Sequence, residues 1–204
     1  MTKKSNYLLS LFGALLLTSS VHAQSLLPKP QQVTMGKGVF NTSDGVKVEK
    51  QVGADAENIY TKAWNVKVND AAKRVVKFTK LANASSPEAY KLHVAPDAIE
   101  ISAASSEGFL RAWQTMEQLT TKKGIACCDI VDAPAYKWRG LMLDVSRHYF
   151  PISFLKKQID VMSEYKFNRL HIHLTDAAGW RIEIKRYPRL NNFAAWRSGK
   201  LWKD

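Results

Sequence analysis

Two stretches decide the fold: Gly140–Val145, reading GLMLDV, and Leu170–Thr175, reading LHIHLT. The first is a nearly continuous apolar run, the pattern of a strand covered on both faces. The second is also strand-like. Between them Leu155, Ile159 and Met162 recur at i, i+4 and i+7, flanked by Phe154, Val161 and Tyr165, and Pro151 opens the helical stretch. Strand, helix and strand with a crossover of this length predict a right-handed βαβ unit with parallel strands. Such a unit opens an α/β fold. Trp180–Ile184 (WRIEI) reads as a further short strand.

Toward the N-terminus the texture changes at Ala133-Pro134-Ala135, a seam where proline biases its predecessor away from helix. Before it, Gly45–Val52 (GVKVEKQV) alternates with period two and predicts a strand. Ala71, Ala72, Val75, Val76 and Leu81 predict a helix over Asp70–Leu81. Tyr90–Val94 (YKLHV) and Ala98–Ile101 (AIEI) predict two strands around the turn signal Pro96-Asp97. Ser105-Ser106-Glu107-Gly108 opens a helix whose apolar stripe is Phe109, Leu110, Trp113, Met116 and Leu119. The expectation for 24–132 is an α+β module, an antiparallel sheet with helices on one face. His93 falls in a strand pattern and reads as structural. Adjacent Cys127 and Cys128 read as small buried thiols, because a bond between neighbouring cysteines strains the intervening peptide.

Residues 1–23 have the layout of a secretory signal peptide: Lys3 and Lys4, an apolar stretch from Tyr7 to Leu17, and Val21-His22-Ala23 before Gln24. The apolar run is too short to cross a bilayer core of ~30 Å comfortably. The expectation is export to a periplasmic or extracellular space, with no membrane span after cleavage. Of the 204 residues, 46% are hydrophobic and 24% charged, which excludes a disordered tail, a collagen-like fibre and a multi-span membrane protein. Two cysteines exclude a disulfide-rich scaffold. Cleavage takes away two lysines and no acid, so the charge falls from +12 to +10. The basic residues are scattered rather than gathered in a stripe, which argues against nucleic acid as a partner. No phosphate-binding glycine loop, G-x-S-x-G or H-E-x-x-H occurs.

Residues that carry chemistry are dense from Trp138 to Arg181. In parallel α/β sheets ligands bind at the C-terminal ends of strands. Asp144, Arg147, His148 and Asp176 fall there, and Arg139 falls at the start of the first strand. Asp144 and Arg147 also fit an internal ion pair that orders the strand end. His171 and His173 share one strand face. A third ligand at zinc-like spacing is missing, so packing is favoured over a metal site. Trp138, Trp180, Trp196 and Trp202 cluster in this region; stacking on sugar rings and core packing are both open, with packing the simpler reading.

The blocks Trp138–His148 (WRGLMLDVSRH) and His171–Arg181 (HIHLTDAAGWR), with YKFNRLHIHL leading into the second, resemble the family 20 glycoside hydrolases, the β-N-acetylhexosaminidases. The stretch from Tyr90 to Leu119 resembles the α+β domain that precedes the catalytic barrel in that family. The resemblance implies a (β/α)8 barrel beginning in 133–204, of which this chain supplies about the first two strands. It implies hydrolysis of terminal, non-reducing N-acetylglucosamine or N-acetylgalactosamine from glycans, with no cofactor and no metal. The implied mechanism is substrate-assisted: the 2-acetamido oxygen attacks the anomeric carbon, an Asp orients that group, and a neighbouring Glu protonates the leaving oxygen.

By the same resemblance Arg139 matches an arginine that hydrogen-bonds hydroxyls of the terminal sugar, and Asp176 matches the first acid of the second-strand motif. Arg147 and His148 match the first-strand block in an ordering role, and Asp144 and His173 support the site. The family motif usually continues from Asp176 with a second acid and a glutamine, where this chain has Ala177 and Ala178. No Asp-Glu dipeptide occurs after residue 132, and the general acid and orienting Asp of the family are expected beyond residue 204. The expectation is a truncated N-terminal fragment without turnover of its own. The alternative is a non-catalytic glycan-binding or interaction module.

Overall fold

The computed structural model describes residues 26–50 and 66–197. The signal-peptide expectation, the end of the predicted strand 45–52 and Trp202 lie outside the described residues. In chain order the elements are β1 (Gln32–Phe40), β2 (Lys47–Lys50), β3 (Val75–Lys80), β4 (Tyr90–Val94), β5 (Ala98–Ala103), α1 (Ser106–Leu119), β6 (Thr120–Thr121) and β7 (Gly124–Asp132). After the seam come β8 (Gly140–Asp144), α2 (Ile152–Glu164), β9 (Arg169–His173), β10 (Thr175–Asp176), β11 (Gly179–Trp180) and a short α3 (Arg189–Asn192).

The first part is one sheet in the order β1-β7-β4-β5-β3-β2, with β6 paired to β7. Alternation in β4 buries Tyr90, Leu92 and Val94 and exposes Lys91 and His93. The buried side meets Phe109, Ala112, Trp113, Met116 and Leu119 of α1, which form with it a single core. Ser105 caps α1 by accepting from the Glu107 amide at 3.2 Å. On the open face His93 sits 2.6 Å from Asp129 across the β4–β7 pair, a structural contact as expected. Cys127 and Cys128 are free and buried. Burial pushes both thiols above their usual range, Cys128 up to about 12.

Two expectations fail here. The window 70–81 is not a helix. Val75, Val76 and Thr79 are β-branched, and Val76 and Phe78 alternate inward with Lys77 between them, so 75–80 forms β3. Ala71 and Ala72 lie in a turn held by Asn69, whose side chain accepts from the Ala71 amide at 3.0 Å. The sheet is also mixed rather than antiparallel, because β3 runs parallel to both β2 and β5.

The second part is the expected strand–helix–strand unit, with β8 parallel to β9 from Gly140↔Arg169 to Asp144↔His173. It is not sealed on both faces. Among the described residues β8 and β9 pair only with each other, and Met142 remains 56% exposed. Of α2, only Met162 is buried. The predicted strand Trp180–Ile184 shrinks to β11, closing a hairpin on β10.

Gly108 tests the packing of α1. A Cβ there would lie 2.6 Å from the Ala89 carbonyl oxygen and 3.0 Å from the Ala103 Cβ. Alanine normally gains about 1 kcal/mol over glycine inside a helix. Gly108→Ala is expected to lower the urea midpoint instead; a raised midpoint would show that α1 does not pack this closely on β4 and β5.

Candidate functional site

Parallel pairing sends both strands of the second part toward the same end, and the register sets Asp144 opposite His173 there. At that end the chain turns on the Asp144 carboxylate. Oδ1 accepts from the Ser146 and Arg147 amides, each at 3.0 Å. The Arg147 guanidinium folds back, with one terminal nitrogen 2.5 Å from Asp144 Oδ2 and the other 2.7 Å from Asp176 Oδ2. His173 Nε2 lies 2.9 Å from that Asp176 oxygen, and Asp176 Oδ1 accepts from the Ala177 amide at 2.7 Å. A guanidinium thus bridges two carboxylates, and an imidazole closes the chain. The cluster is partly open to solvent, with Arg147 half exposed.

Both carboxyls are held below their usual range. For Asp144 the chief cause is the Arg147 amide, aided by the Arg147 side chain. For Asp176 it is the Ala177 amide, followed by His173 and the Arg147 charge. The ion pair expected between Asp144 and Arg147 is present and extends to Asp176.

Arg139 lies where expected, but its side chain is engaged by Glu88. It precedes β8 and so stands at the opposite end of the strand from this cluster. Its side chain is only 13% exposed and forms a two-pronged pair with Glu88, at 2.6 Å to Oε1 and 3.1 Å to Oε2. Its remaining contacts go to the Lys166 carbonyl at 2.7 Å and the Tyr136 carbonyl at 2.6 Å. The planar guanidinium that suits sugar hydroxyls suits a carboxylate equally well, and here it is spent on Glu88.

His148 is exposed and stacks edge-on against Phe150, ring centres 4.9 Å apart, rather than joining the carboxylates. His171 is exposed on the face it shares with His173. Among the described residues no group of three or more His, Cys, Asp or Glu is placed to hold a metal ion. Trp138 and Trp196 are 73% and 78% exposed, so core packing does not account for them. Beside the cluster Arg147, His148, Tyr149, Trp180 and Trp196 line an open cavity of about 860 Å³.

Sequence reasoning missed Arg181 and Glu88. Arg181 donates to the carbonyls of Val145 at 2.9 Å and Ala195 at 2.6 Å, fastening the loop after β8 to the end of the described chain. Its place in the GWR triplet was the available signal. Glu88 sits in a loop before β4 with no pattern to mark it.

The match to known proteins follows the same seam. The model for glycosyl hydrolase family 20, domain 2, matches residues 23–133, and the model for the catalytic domain of that family matches residues 136–203. The chain belongs to glycosyl hydrolase family 20. It is 35% identical over 185 residues to a β-hexosaminidase of Vibrio furnissii, covering 85% of this chain and 30% of that protein. A β-hexosaminidase of Akkermansia muciniphila is 44% identical over 115 residues, covering 54% of this chain and 23% of that protein. The family 20 exo-β-N-acetylglucosaminidase of Vibrio harveyi, solved with N-acetylglucosamine, superposes with a TM-score of 0.71 at 33% identity. That match covers 86% of this chain and 29% of the solved one. The family 20 chain described here therefore spans less than a third of the length of these relatives. No helix among the described residues is long and apolar enough to cross a membrane.

The cluster has a pH signature. A carboxyl with a lowered folded pKa adds stability above its unfolded value, and that stability is lost as pH falls through the folded value. Asp144 and Asp176 are expected to titrate below the usual 3.8 in carboxyl-detected NMR, and Arg147→Ala to raise both midpoints. Unchanged midpoints in that variant would show that the bridge does not form.

Proposed function

We propose that this chain carries the sugar-facing opening of an exported β-N-acetylhexosaminidase that acts on terminal, non-reducing N-acetylhexosamine. In this reading 1–23 is a signal peptide, 24–132 an accessory α+β domain, and 133–204 the first βαβ portion of a (β/α)8 barrel. The observation that carries it is the Asp144–Arg147–Asp176–His173 cluster at the C-terminal ends of two parallel strands, where barrel enzymes place their sites.

The chemistry suits a polyol. Each sugar hydroxyl both donates and accepts, and the cluster offers guanidinium N–H donors beside carboxylate acceptors. Holding Asp176 ionised keeps it an acceptor at neutral and mildly acidic pH. The exposed rings of Tyr149 and Trp196, across the adjoining cavity, offer faces on which a sugar ring can stack. Arg147, not Arg139, is then the arginine that reaches the sugar, with Asp176 beside it. Asp144 and His173 hold those two in place, and His148 lies at the cavity rim. The Vibrio harveyi complex with N-acetylglucosamine supports the choice of ligand.

In the reaction the acetamido oxygen of the substrate attacks the anomeric carbon while an acid protonates the leaving oxygen. Residues 133–204 contain no Asp-Glu pair to orient that group and supply that proton. The purified chain is expected to bind N-acetylglucosamine weakly by calorimetry, to lose that binding on Arg147→Ala, and to release no chromophore from a chromogenic N-acetylglucosaminide. Turnover, or equal binding by the Arg147→Ala chain, would refute the assignment. Tight binding of N-acetylglucosamine oligomers without cleavage would make the chain a glycan-binding module instead.

A further inference from the structure

The second part of the chain has little interior of its own, yet its strand starts are anchored in buried charge. Glu88 is 16% exposed and accepts from two arginines, Arg111 of α1 at 2.7 Å and Arg139 at 2.6 Å. Arg139 in turn donates its Nε–H to the Lys166 carbonyl. Lys166 turns the chain between α2 and β9 with φ of 60°, a left-handed conformation rare for a residue with a side chain. Its side chain is 5% exposed, and the ammonium reaches Asp132 at 3.0 Å and the Tyr90 hydroxyl at 2.9 Å, both in the sheet of the first part. Asn168 completes the set by accepting from the Arg139 amide at 3.0 Å and donating to the Lys137 carbonyl at 3.0 Å.

These contacts meet at the N-terminal ends of β8 and β9. Nothing in them touches the Asp144–Arg147–Asp176 cluster, which lies about 13 Å away along the strands at ~3.3 Å per residue. The two ends are joined by an unbroken register from Gly140↔Arg169 to Asp144↔His173. Strands are stiff along their length, so a shift at one end is carried to the other. Among the described residues the two strands pair with no other strand, so their register rests on their own backbone bonds, the cluster at their ends and these contacts at their starts.

We propose that Glu88 is a positioning residue: by fixing Arg139 and, through it, the Lys166 turn, it sets the alignment of β8 on β9 and so the meeting of Asp144, Arg147, His173 and Asp176. The sheet module thereby controls the geometry of a cluster it does not contact. The inference concerns that geometry and stands whatever ligand the cluster binds.

The test uses the full chain and its own histidines. His173 and His93 each sit against an aspartate, one in the cluster and one on the open face of the sheet, so their ring NMR signals report the two regions separately. In Glu88→Gln the His173 signal is expected to move toward that of a free imidazole while the His93 signal stays. Amide exchange at Leu143–Val145 and Ile172–Leu174 is expected to quicken about tenfold or more, as loss of one partner of a buried pair implies, with Leu92–Val94 and Ile99–Ile101 unchanged. An unmoved His173, or equal acceleration in both regions, would overturn the proposal. Should Glu88→Gln unfold the chain, Arg139→Lys keeps the charge and loses the fork, and the same comparison applies with the same outcomes.

Discussion

The parallel pairing of β8 with β9 is the constraint on which the rest depends. Antiparallel pairing would place Asp144 and His173 at opposite ends of the unit. Parallel pairing in this register sets them side by side. It then fixes where the loops that follow must turn, and both turns are built on aspartates. Asp144 gathers two backbone amides and a guanidinium, while Asp176 gathers one amide, the same guanidinium and an imidazole. Arg147 is shared, so neither turn is independent of the other. The backbone amides at each turn do most to hold the two carboxyls below their usual range, and the shared guanidinium adds to both.

The opposite end of the same strands obeys a different rule. There the charges are buried, and a buried charge is tolerated only when paired and hydrogen-bonded. Burial alone would raise the Glu88 pKa, but Arg139 and Arg111 outweigh it and hold the carboxyl below its usual range. Burial lowers the Lys166 pKa despite Asp132 beside it, and burial with the Asp132 charge raises that of Tyr90. One short strand therefore ends in a solvent-facing cluster suited to exchange partners with a ligand, and begins in a sealed one suited to keep its partners.

Much of this was legible in the sequence, and the failures have physical reasons. The GLMLDV and LHIHLT runs with a 3.6-period stretch between them gave a parallel strand–helix–strand unit, and that pairing is present. Position at a strand's C-terminal end pointed to Asp144, Arg147, His148 and Asp176; three of them meet there, while His148 turns to Phe150. Arg139 stands at the start of β8 as expected, but its partner was not legible: a guanidinium fits hydroxyls and carboxylates alike, and the carboxylate it meets is 51 residues earlier in the chain. No local pattern marks a pair of that separation. The window 70–81 failed because its alanines suggested helix while its β-branched residues alternated for a strand. Neighbouring strands decided between them.

The exposed apolar surface of the second part follows from the same division. A single parallel strand pair with one helix cannot enclose a core, and Met142, Ile152 and Ile159 show it by remaining at least half exposed. The sheet module has the opposite economy, with Tyr90, Leu92, Ile99 and Ile101 almost wholly buried under α1. Tyr90 belongs to both accounts: its ring is part of that core, and its hydroxyl meets Lys166. Order in the strand–helix–strand unit is thus borrowed through polar contacts from a neighbour whose own order is hydrophobic. Disturbance of the Tyr90 hydroxyl, Asp132 or Glu88 should be felt in the unit before it is felt in the sheet, because the sheet keeps its apolar core when those contacts are lost.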